Sequence, residues 1–174
     1  MYGIGSSAHA PFRPLFLYAA AAIQGGGISI QWDFERPFTL QLVVVADEID
    51  EYRHVNNAAY MRWLDRCAWA HSTALGLSIA DCQRLDRGMA VRSSQLDYLA
   101  PAFLDDPIVI GTWIIHNDGK VRCTRRFQVV AENTGKTLLR ATTEYVCLVL
   151  SSGRPSRLPP EFLERYAPTV PLNR

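Results

Sequence analysis

Residues 46–64 read ADEIDEYRHVNNAAYMRWL, and this stretch joins an apolar β-like run at 40–45 to a long amphipathic helix. Acids, a histidine and two asparagines stand at the junction. A loop that leads into a helix offers unpaired backbone N–H groups and the positive end of the helix dipole, which together hold an anion or polarise a carbonyl. A carboxylate beside such groups suits acyl chemistry. The sequence therefore predicts the functional site at this junction.

The residues after the junction predict one long helix. Between 57 and 75 the apolar side chains recur with the spacing of a largely buried helix. Asn56 occupies the N-cap position, and Gly76 stands where a C-cap glycine belongs. The run 78–85 predicts a short second helix.

The remainder of the chain is strand-like. Two hairpin turns, Asn117-Asp118-Gly119 and the segment 133–136, predict that the last four strands form an antiparallel meander. One long helix against a five-stranded sheet gives an α+β domain in which the sheet wraps around the helix. Prolines 159 and 160 open a short helix that ends near Tyr166. The five main strands are predicted at 38–45, 89–99, 107–116, 121–132 and 137–150, with a further short strand at 28–32.

The length of 174 residues suits one domain, predicted over 31–174. Residues 1–30 are interpreted as a loosely ordered or docked extension that ends in three glycines. A basic residue before a short apolar run is also a weak feature of a secretory signal, although the basic region is thin. No apolar run has the length of a membrane span, so no membrane association is expected.

The charged residues and cysteines exclude several functional classes. A net charge of +1 without a dense basic stripe argues against a nucleic-acid-binding protein. The four cysteines are far apart and form no C-x-x-C motif, which favours buried, reduced thiols in a cytoplasmic protein. The loop acids match no metal-binding pattern, and we expect no metal and no cofactor. The basic cluster at 120–126 predicts either a solvated strand face or a patch for a phosphorylated ligand.

Asp50, the H-V-N-N motif at 54–57, Tyr60, Trp63 and the D-Y-L-A-P-A run at 97–102 carry a family resemblance. Over roughly residues 36–152 the chain resembles the hotdog-fold thioesterases of the 4-hydroxybenzoyl-CoA thioesterase type. The same segment is similar to plant acyl-ACP thioesterases. The resemblance implies a hotdog fold and hydrolysis of acyl-CoA to a carboxylic acid and CoA, an activity typical of fatty acid metabolism. Two alternatives stay open, an acyl-ACP thioesterase and a hotdog protein that binds acyl-CoA without hydrolysing it.

The chain departs from the family pattern at three positions. Glu48 stands where family members often have the first Asp of a D-x-D motif. Arg53 replaces the glycine that commonly precedes the histidine, and Tyr52 replaces an asparagine of the acyl-ACP branch. These differences leave the loop shape and the pocket open, but they do not remove the acid.

The resemblance also implies roles for individual residues. Asp50 matches the catalytic acid, which acts as a nucleophile or a general base. The backbone N–H of Asn57 is expected to polarise the thioester carbonyl, and His54 either orients the acid or has a structural role. Trp63 is expected to pack in the core or a dimer interface. The candidate substrate-binding residues are Tyr60, Ser93, Ser94, Arg92 and Arg122, with Lys120, Arg125 and Arg126 as further candidates for the phosphates of coenzyme A.

The family's assembly implies a partner. Hotdog proteins pair their sheets into a homodimer, often a dimer of dimers, with active sites at the subunit interface. A lone sheet with an exposed edge strand risks aggregation, so pairing is also physically favourable. The expected partners are therefore an acyl-CoA substrate and further copies of this chain.

Overall fold

Five strands and three α-helices make up the part of the chain that this computed structural model describes, residues 28–170. The predicted extension at 1–30 lies outside the described residues except for its last three. The five main strands and three helices are confirmed, each to within a few residues at its ends. The elements are β1 (Phe38–Val43), a 3-10 turn (Ala46–Glu48), α1 (Asn57–Ala74), α2 (Ile79–Leu85), β2 (Arg87–Tyr98), β3 (Pro107–Asn117), β4 (Arg122–Ala131), β5 (Lys136–Val149) and α3 (Pro160–Arg165).

The strands form one antiparallel sheet in the order β1-β3-β4-β5-β2. The predicted four-stranded meander is therefore wrong in one respect, because β2 pairs with β5 and not with its neighbour in sequence, β3. Tight turns with Gly119 (φ +68°) and Gly135 (φ +70°) join β3, β4 and β5. The longer connection from β2 to β3 instead crosses the start of α1, where the Val55 N–H donates to the Ala102 carbonyl at 2.9 Å. As a result, β1 and β2 form the two edges of the sheet.

Helix α1 packs its apolar face on the sheet and provides the centre of the core. Trp63, Leu64 and Cys67 on this face are buried, and each large apolar side chain contributes about 1.5–3 kcal/mol by leaving water. Both predicted caps are confirmed. The Asn56 side chain accepts the Ala58 N–H at 2.8 Å, and Gly76 has a left-handed φ of +83° just beyond the helix.

The face of the sheet opposite α1 is covered by the segment 28–37, so β3 is buried on both sides. The Trp113 ring meets the rings of Trp32 and Phe34 edge-on, with centroids 5.9 and 5.5 Å away. Gly111 makes room for this contact, since a Cβ atom there would lie 2.6 Å from the Trp32 ring. The covering segment thus completes the second layer of the core.

The short strand predicted at 28–32 is wrong, because this segment is coil. Its backbone groups pair with a side chain of the sheet and not with a neighbouring strand. The buried amide of Gln128 accepts the Asp33 N–H at 2.8 Å and donates to the Gln31 carbonyl at 3.0 Å. The Asp33 carboxylate then accepts three hydrogen bonds from Nε and Nη2 of Arg140. These contacts hold the segment without any strand pairing.

All four cysteines are buried and free, as predicted. Burial raises the pKa of the Cys67 thiol to about 12 and that of Cys123 to about 11.

Between residues 28 and 170, no helix has the length and apolarity needed to cross a bilayer.

Candidate active site

The Asp50 carboxylate is held by the backbone of its own loop. Its Oδ1 atom accepts the N–H groups of Tyr52 and His54, at 2.9 and 3.3 Å. The Asp50 N–H in turn donates to the His54 carbonyl at 2.9 Å. Oδ2 makes no hydrogen bond with any residue from 28 to 170. One oxygen is therefore fixed while the other is available to a ligand.

The first turn of α1 leaves one backbone donor open. The Ala58 N–H is taken by the Asn56 side chain, and the Ala59 N–H donates to the Asn56 carbonyl at 2.9 Å. The N–H of the exposed Asn57 has no acceptor in the described part of the chain. It lies at the positive end of an 18-residue helix. This N–H is thus suited to bind the oxygen of a polarised carbonyl.

A buried acid fastens the loop to the helix. Glu48 is only 8% exposed, and its Oε1 accepts the Trp63 indole N–H at 2.7 Å. Its second carboxylate oxygen accepts the Val45 N–H at 3.2 Å, and its carbonyl accepts the Asn56 N–H at 2.8 Å. Glu48 therefore positions the loop that carries Asp50 against the start of α1.

The bond between Glu48 and Trp63 was not predicted from the sequence, where Glu48 is a departure from the family motif and Trp63 is a packing residue. The two residues are 15 positions apart. No local periodicity links an acid in a loop to an indole on the next helix. A buried indole N–H does need an acceptor, however, and that requirement is the one signal that points to a nearby acid.

Arg53 occupies the position where the family commonly has glycine, and its backbone explains that preference. Its φ is +63°, in the left-handed region. For a residue with a Cβ atom this conformation costs about 1–2 kcal/mol, while glycine adopts it readily. The N–H of Arg53 donates to the Asp50 carbonyl at 3.0 Å, which closes the loop in this conformation.

Replacing Arg53 by glycine should raise the free energy of unfolding by about 0.5–1 kcal/mol, since part of the relieved strain is offset by the greater freedom of glycine in the unfolded chain. Urea denaturation measures the change. Arg53→Ala is the matched control, because it removes the guanidinium but keeps the Cβ atom, and it should leave stability nearly unchanged. Equal stabilisation by both variants would mean that the side chain, and not the backbone conformation, is the source of the cost.

His54 and Tyr60 lie beside the loop in different environments. His54 is exposed, and its ring packs edge-on against Phe103 at 5.3 Å. Its imidazole makes no hydrogen bond within residues 28–170, so its contact with Asp50 is through the backbone. Tyr60 is 2% exposed and packs against Trp63 and Tyr98. Burial raises the pKa of the Tyr60 hydroxyl. The catalytic role of His54 and the substrate contact of Tyr60 stay predictions.

The two arginines predicted to bind substrate share an acid. Arg92 on β2 and Arg122 on β4 both pair with Glu144 on β5, Arg122 at 3.5 Å. Both arginine side chains are about half exposed. Glu144 offsets part of the positive charge that a phosphate would meet here.

The serines predicted to bind substrate also lie on β2. Ser93 is exposed beside a bulge in the strand, and the Ser94 hydroxyl pairs with the Thr143 hydroxyl at 3.0 Å. Since β2 and β1 are opposite edges, four strand spacings, about 19 Å along the sheet, separate these residues from β1, which leads into the catalytic loop. Within one chain the structure therefore places Asp50, His54 and Asn57 in one loop, closed by the Asn56–Glu48 backbone bond, without Arg92, Ser93 or Ser94 of β2.

The interpretation of 120–126 as a solvated strand face is correct for Arg122 and wrong for Arg125. Strand β4 alternates, so Cys123, Arg125 and Phe127 point to the buried side. Arg125 is 3% exposed, which removes it from the candidate surface for coenzyme A phosphates.

Among residues 28–170 no group of three or more His, Cys, Asp or Glu side chains is placed to hold a metal ion.

Comparisons with known proteins cover both the loop and the helix. The family model of the thioesterase-like superfamily matches residues 44–166. The long-chain acyl-CoA thioesterase FadM of Escherichia coli K12 is 26% identical over 134 residues, which span 75% of this chain and 97% of that protein.

Solved structures are similar to this chain as well. The probable thioesterase YbaW of Escherichia coli is 25% identical with a TM-score of 0.63, over 73% of this chain and 94% of that one. The 1,4-dihydroxy-2-naphthoyl-CoA thioesterase Slr0204 of Synechocystis is 18% identical with a TM-score of 0.67, over 75% of this chain and 96% of that one. SAV2348 of Staphylococcus aureus, solved in complex with CoA, is 18% identical with a TM-score of 0.69, over 78% of this chain and 84% of that one. These similarities confirm the predicted hotdog fold.

Proposed function

Because this chain belongs to the thioesterase-like superfamily and is a thioester hydrolase, we propose that it hydrolyses acyl-CoA thioesters to a carboxylic acid and CoA. One observation carries the proposal: the tethered carboxylate of Asp50 and the open N–H of Asn57 flank the start of the same helix. A relative described as a long-chain acyl-CoA thioesterase and a structural neighbour that binds CoA support the choice of substrate.

The chemistry follows from these two groups. The Asn57 N–H and the helix dipole stabilise the negative charge that develops on the thioester oxygen. Oδ2 of Asp50 either attacks the carbonyl carbon, forming an anhydride that water then hydrolyses, or removes a proton from a water molecule that attacks directly. In both routes the C–S bond breaks and the sulfur leaves as a thiolate. Since thiols have a pKa of about 8.5, the leaving group needs no strong acid.

A second copy of the chain would complete the site. The candidate substrate-binding residues of β2 lie across the sheet from Asp50, and the outer edge of this 12-residue strand pairs with no other strand in the described region. An exposed edge of that length invites pairing. Tyr98 at the end of β2 packs on Tyr60 in the first turn of α1, so a second β2 running antiparallel beside the first would bring the start of that strand toward the loop. We infer that two β2 edges pair in a homodimer, or a dimer of dimers, which places Arg92, Ser93 and Ser94 of one subunit near the loop of its partner.

The proposal is tested by thiol release from short, long, branched and aromatic acyl-CoAs and from matched acyl-ACPs, with molar mass measured by light scattering on the same preparation. We expect hydrolysis of at least one acyl-CoA by a species of two or four times 19.5 kDa. The Asp50→Asn variant, purified identically, controls for contaminating enzymes. Faster turnover of acyl-ACP would support the acyl-ACP alternative. Binding of acyl-CoA without hydrolysis would overturn the proposal, and an active monomer would overturn the shared site.

A further inference from the structure

A cavity lies between α1 and the inner face of β2, β4 and β5. Its volume is about 50 Å³, several times what one water molecule needs. An apolar groove of about 480 Å³ adjoins the cavity and shares Trp69, Cys82 and Met89 with it. The groove is also lined by Ile79, Leu148 and Leu150. The two spaces lie side by side, and both are lined largely by apolar side chains.

Arg125 lines the buried part of this cavity, and its contacts are to neutral groups. Nη1 lies 2.7 Å from Nδ1 of His71, and Nη2 donates to the Ser72 hydroxyl at 3.0 Å. The guanidinium also stands over the Tyr166 ring, 5.3 Å from its centroid. Burial, aided by the charge of Arg125, lowers the pKa of His71 to about 4, so this imidazole is a neutral acceptor at pH 7.

No acid neutralises Arg125 in the region 28–170. It forms no ion pair with any carboxylate there. Asp65 lines the same cavity but faces solvent, and burial of part of its surface raises the pKa of its carboxyl. A guanidinium carries five N–H donors, and only Nη1 and Nη2 of Arg125 have acceptors among these residues. A buried charge without a counter-ion is strongly unfavourable, which indicates that an anion from outside residues 28–170 completes the site.

We propose that this cavity binds the carboxylate of an apolar-chain acid, with Arg125 as its counter-ion and the groove along Met89 as the site for the chain. The planar guanidinium matches a carboxylate in a two-point contact. A phosphate would bring more charge and bulk than one cation among apolar walls can accommodate. The inference is independent of the proposed reaction, because a carboxylate site at Arg125 does not require thioester hydrolysis.

Two sources can supply this carboxylate, a free fatty acid or the far end of a dicarboxylic acyl thioester. Ser72, which shares the hydrogen-bonding group with Arg125, lies 15 residues after Asn57 on α1, or about 22 Å along the helix axis. A carboxylate that belongs to the substrate must therefore sit at the end of a long acyl chain. A free acid has no such requirement.

The first test is equilibrium binding of dodecanoate and dodecan-1-ol, measured by calorimetry. Wild type should bind dodecanoate with one site per chain, and Arg125→Met should weaken this binding about ten- to hundredfold, because a charge-assisted contact is lost. Arg126→Gln is the matched control. Arg126 lies next to Arg125 on the opposite face of β4, bonded to Thr142, and its loss should change affinity less than about twofold. Equal binding of the acid and the alcohol, or an unaffected Arg125→Met, would overturn the proposal.

A second pair of variants avoids the buried arginine. Val91 lines the cavity at a 52% exposed position of β2. Val91→Asp should weaken dodecanoate binding at least about fivefold relative to Val91→Asn, because the two differ only in a charge that repels the ligand. Dodecan-1-ol should bind both variants equally. Identical dodecanoate affinity in the two variants would contradict the proposed site even if Arg125→Met fails to fold.

The source of the carboxylate is then decided by kinetics with palmitoyl-CoA and its ω-carboxy analogue, hexadecanedioyl-CoA. If the site receives the distal end of the substrate, Arg125→Met should raise KM only for the dicarboxylic thioester. If it receives a free acid, KM for both should be unchanged while dodecanoate binding is lost. Failure to hydrolyse either thioester would exclude the dicarboxylic thioester as the source and leave the binding result intact, whereas the proposed function fails only if the whole acyl-CoA panel is inert.

Discussion

Asp50→Asn should lower the turnover number for acyl-CoA hydrolysis at least about a hundredfold, within the range of about 10²–10⁴ that general bases contribute. Asparagine keeps an oxygen that can accept the N–H groups of Tyr52 and His54, so the loop should retain its shape. It loses the negative charge that attacks the carbonyl or removes a proton from water. The defect should therefore appear in kcat, with little change in substrate affinity or thermal stability.

Asp47→Asn is the matched control for this experiment. Asp47 is an exposed acid three residues earlier on the same connection, in the 3-10 turn. Its substitution changes the local charge by the same amount, and kcat should stay within about twofold of wild type. If kcat falls by a comparable factor in both variants, the activity depends on the negative charge of the loop in general and not on one catalytic carboxylate. If Asp50→Asn keeps more than about a tenth of wild-type turnover, Asp50 is not the catalytic acid.

Asn57→Pro should lower kcat about 10²–10³-fold, the typical effect of losing one donor to a developing oxyanion. Proline lacks the backbone N–H that is open in this structure. Asn57 is the first residue of α1, a position that favours proline. The preceding Asn56 has φ −59° and ψ 139°, the extended conformation that a residue before proline prefers. The substitution should therefore delete the donor without unfolding the helix, which circular dichroism and thermal melting can verify.

Asn57→Ala separates the backbone of this residue from its side chain. Alanine keeps the N–H and removes the carboxamide, so its kcat should remain close to that of wild type. If Asn57→Ala loses as much activity as Asn57→Pro, the side chain is the functional group and the assignment of the N–H is wrong. If the proline variant is folded and fully active, the carbonyl is polarised elsewhere.

Much of the fold follows from signals that act within a few residues. The capping side chain of Asn56, the left-handed Gly76 and the turns before β4 and β5 each specify a local conformation, and each was predicted in place. The loop that carries the candidate active site also depends on local sequence. Asp50 and Asn57 are close in sequence and separated by one short loop, so their proximity does not depend on the rest of the sheet.

Contacts between segments that are far apart in the chain were not predicted from the sequence. Glu48 and Trp63 meet because the loop folds back on α1. Gln128 replaces a strand partner for the segment 28–37, which turns a predicted strand into coil. In each case a side chain satisfies a polar group whose position depends on elements far away in sequence, and residue periodicity contains no information about such pairs.

By itself, then, the sequence determined that one helix packs on a five-stranded antiparallel sheet, and that an acid and an N–H donor stand where the helix begins. Only the tertiary structure decided that β2 lies on the far side of β5, that Arg92 and Arg122 share Glu144, and that Arg125 is buried without an acid partner. The physical reason is the range of the interactions. Helix caps and turns are local, whereas strand order and burial arise when the whole chain packs its apolar faces together.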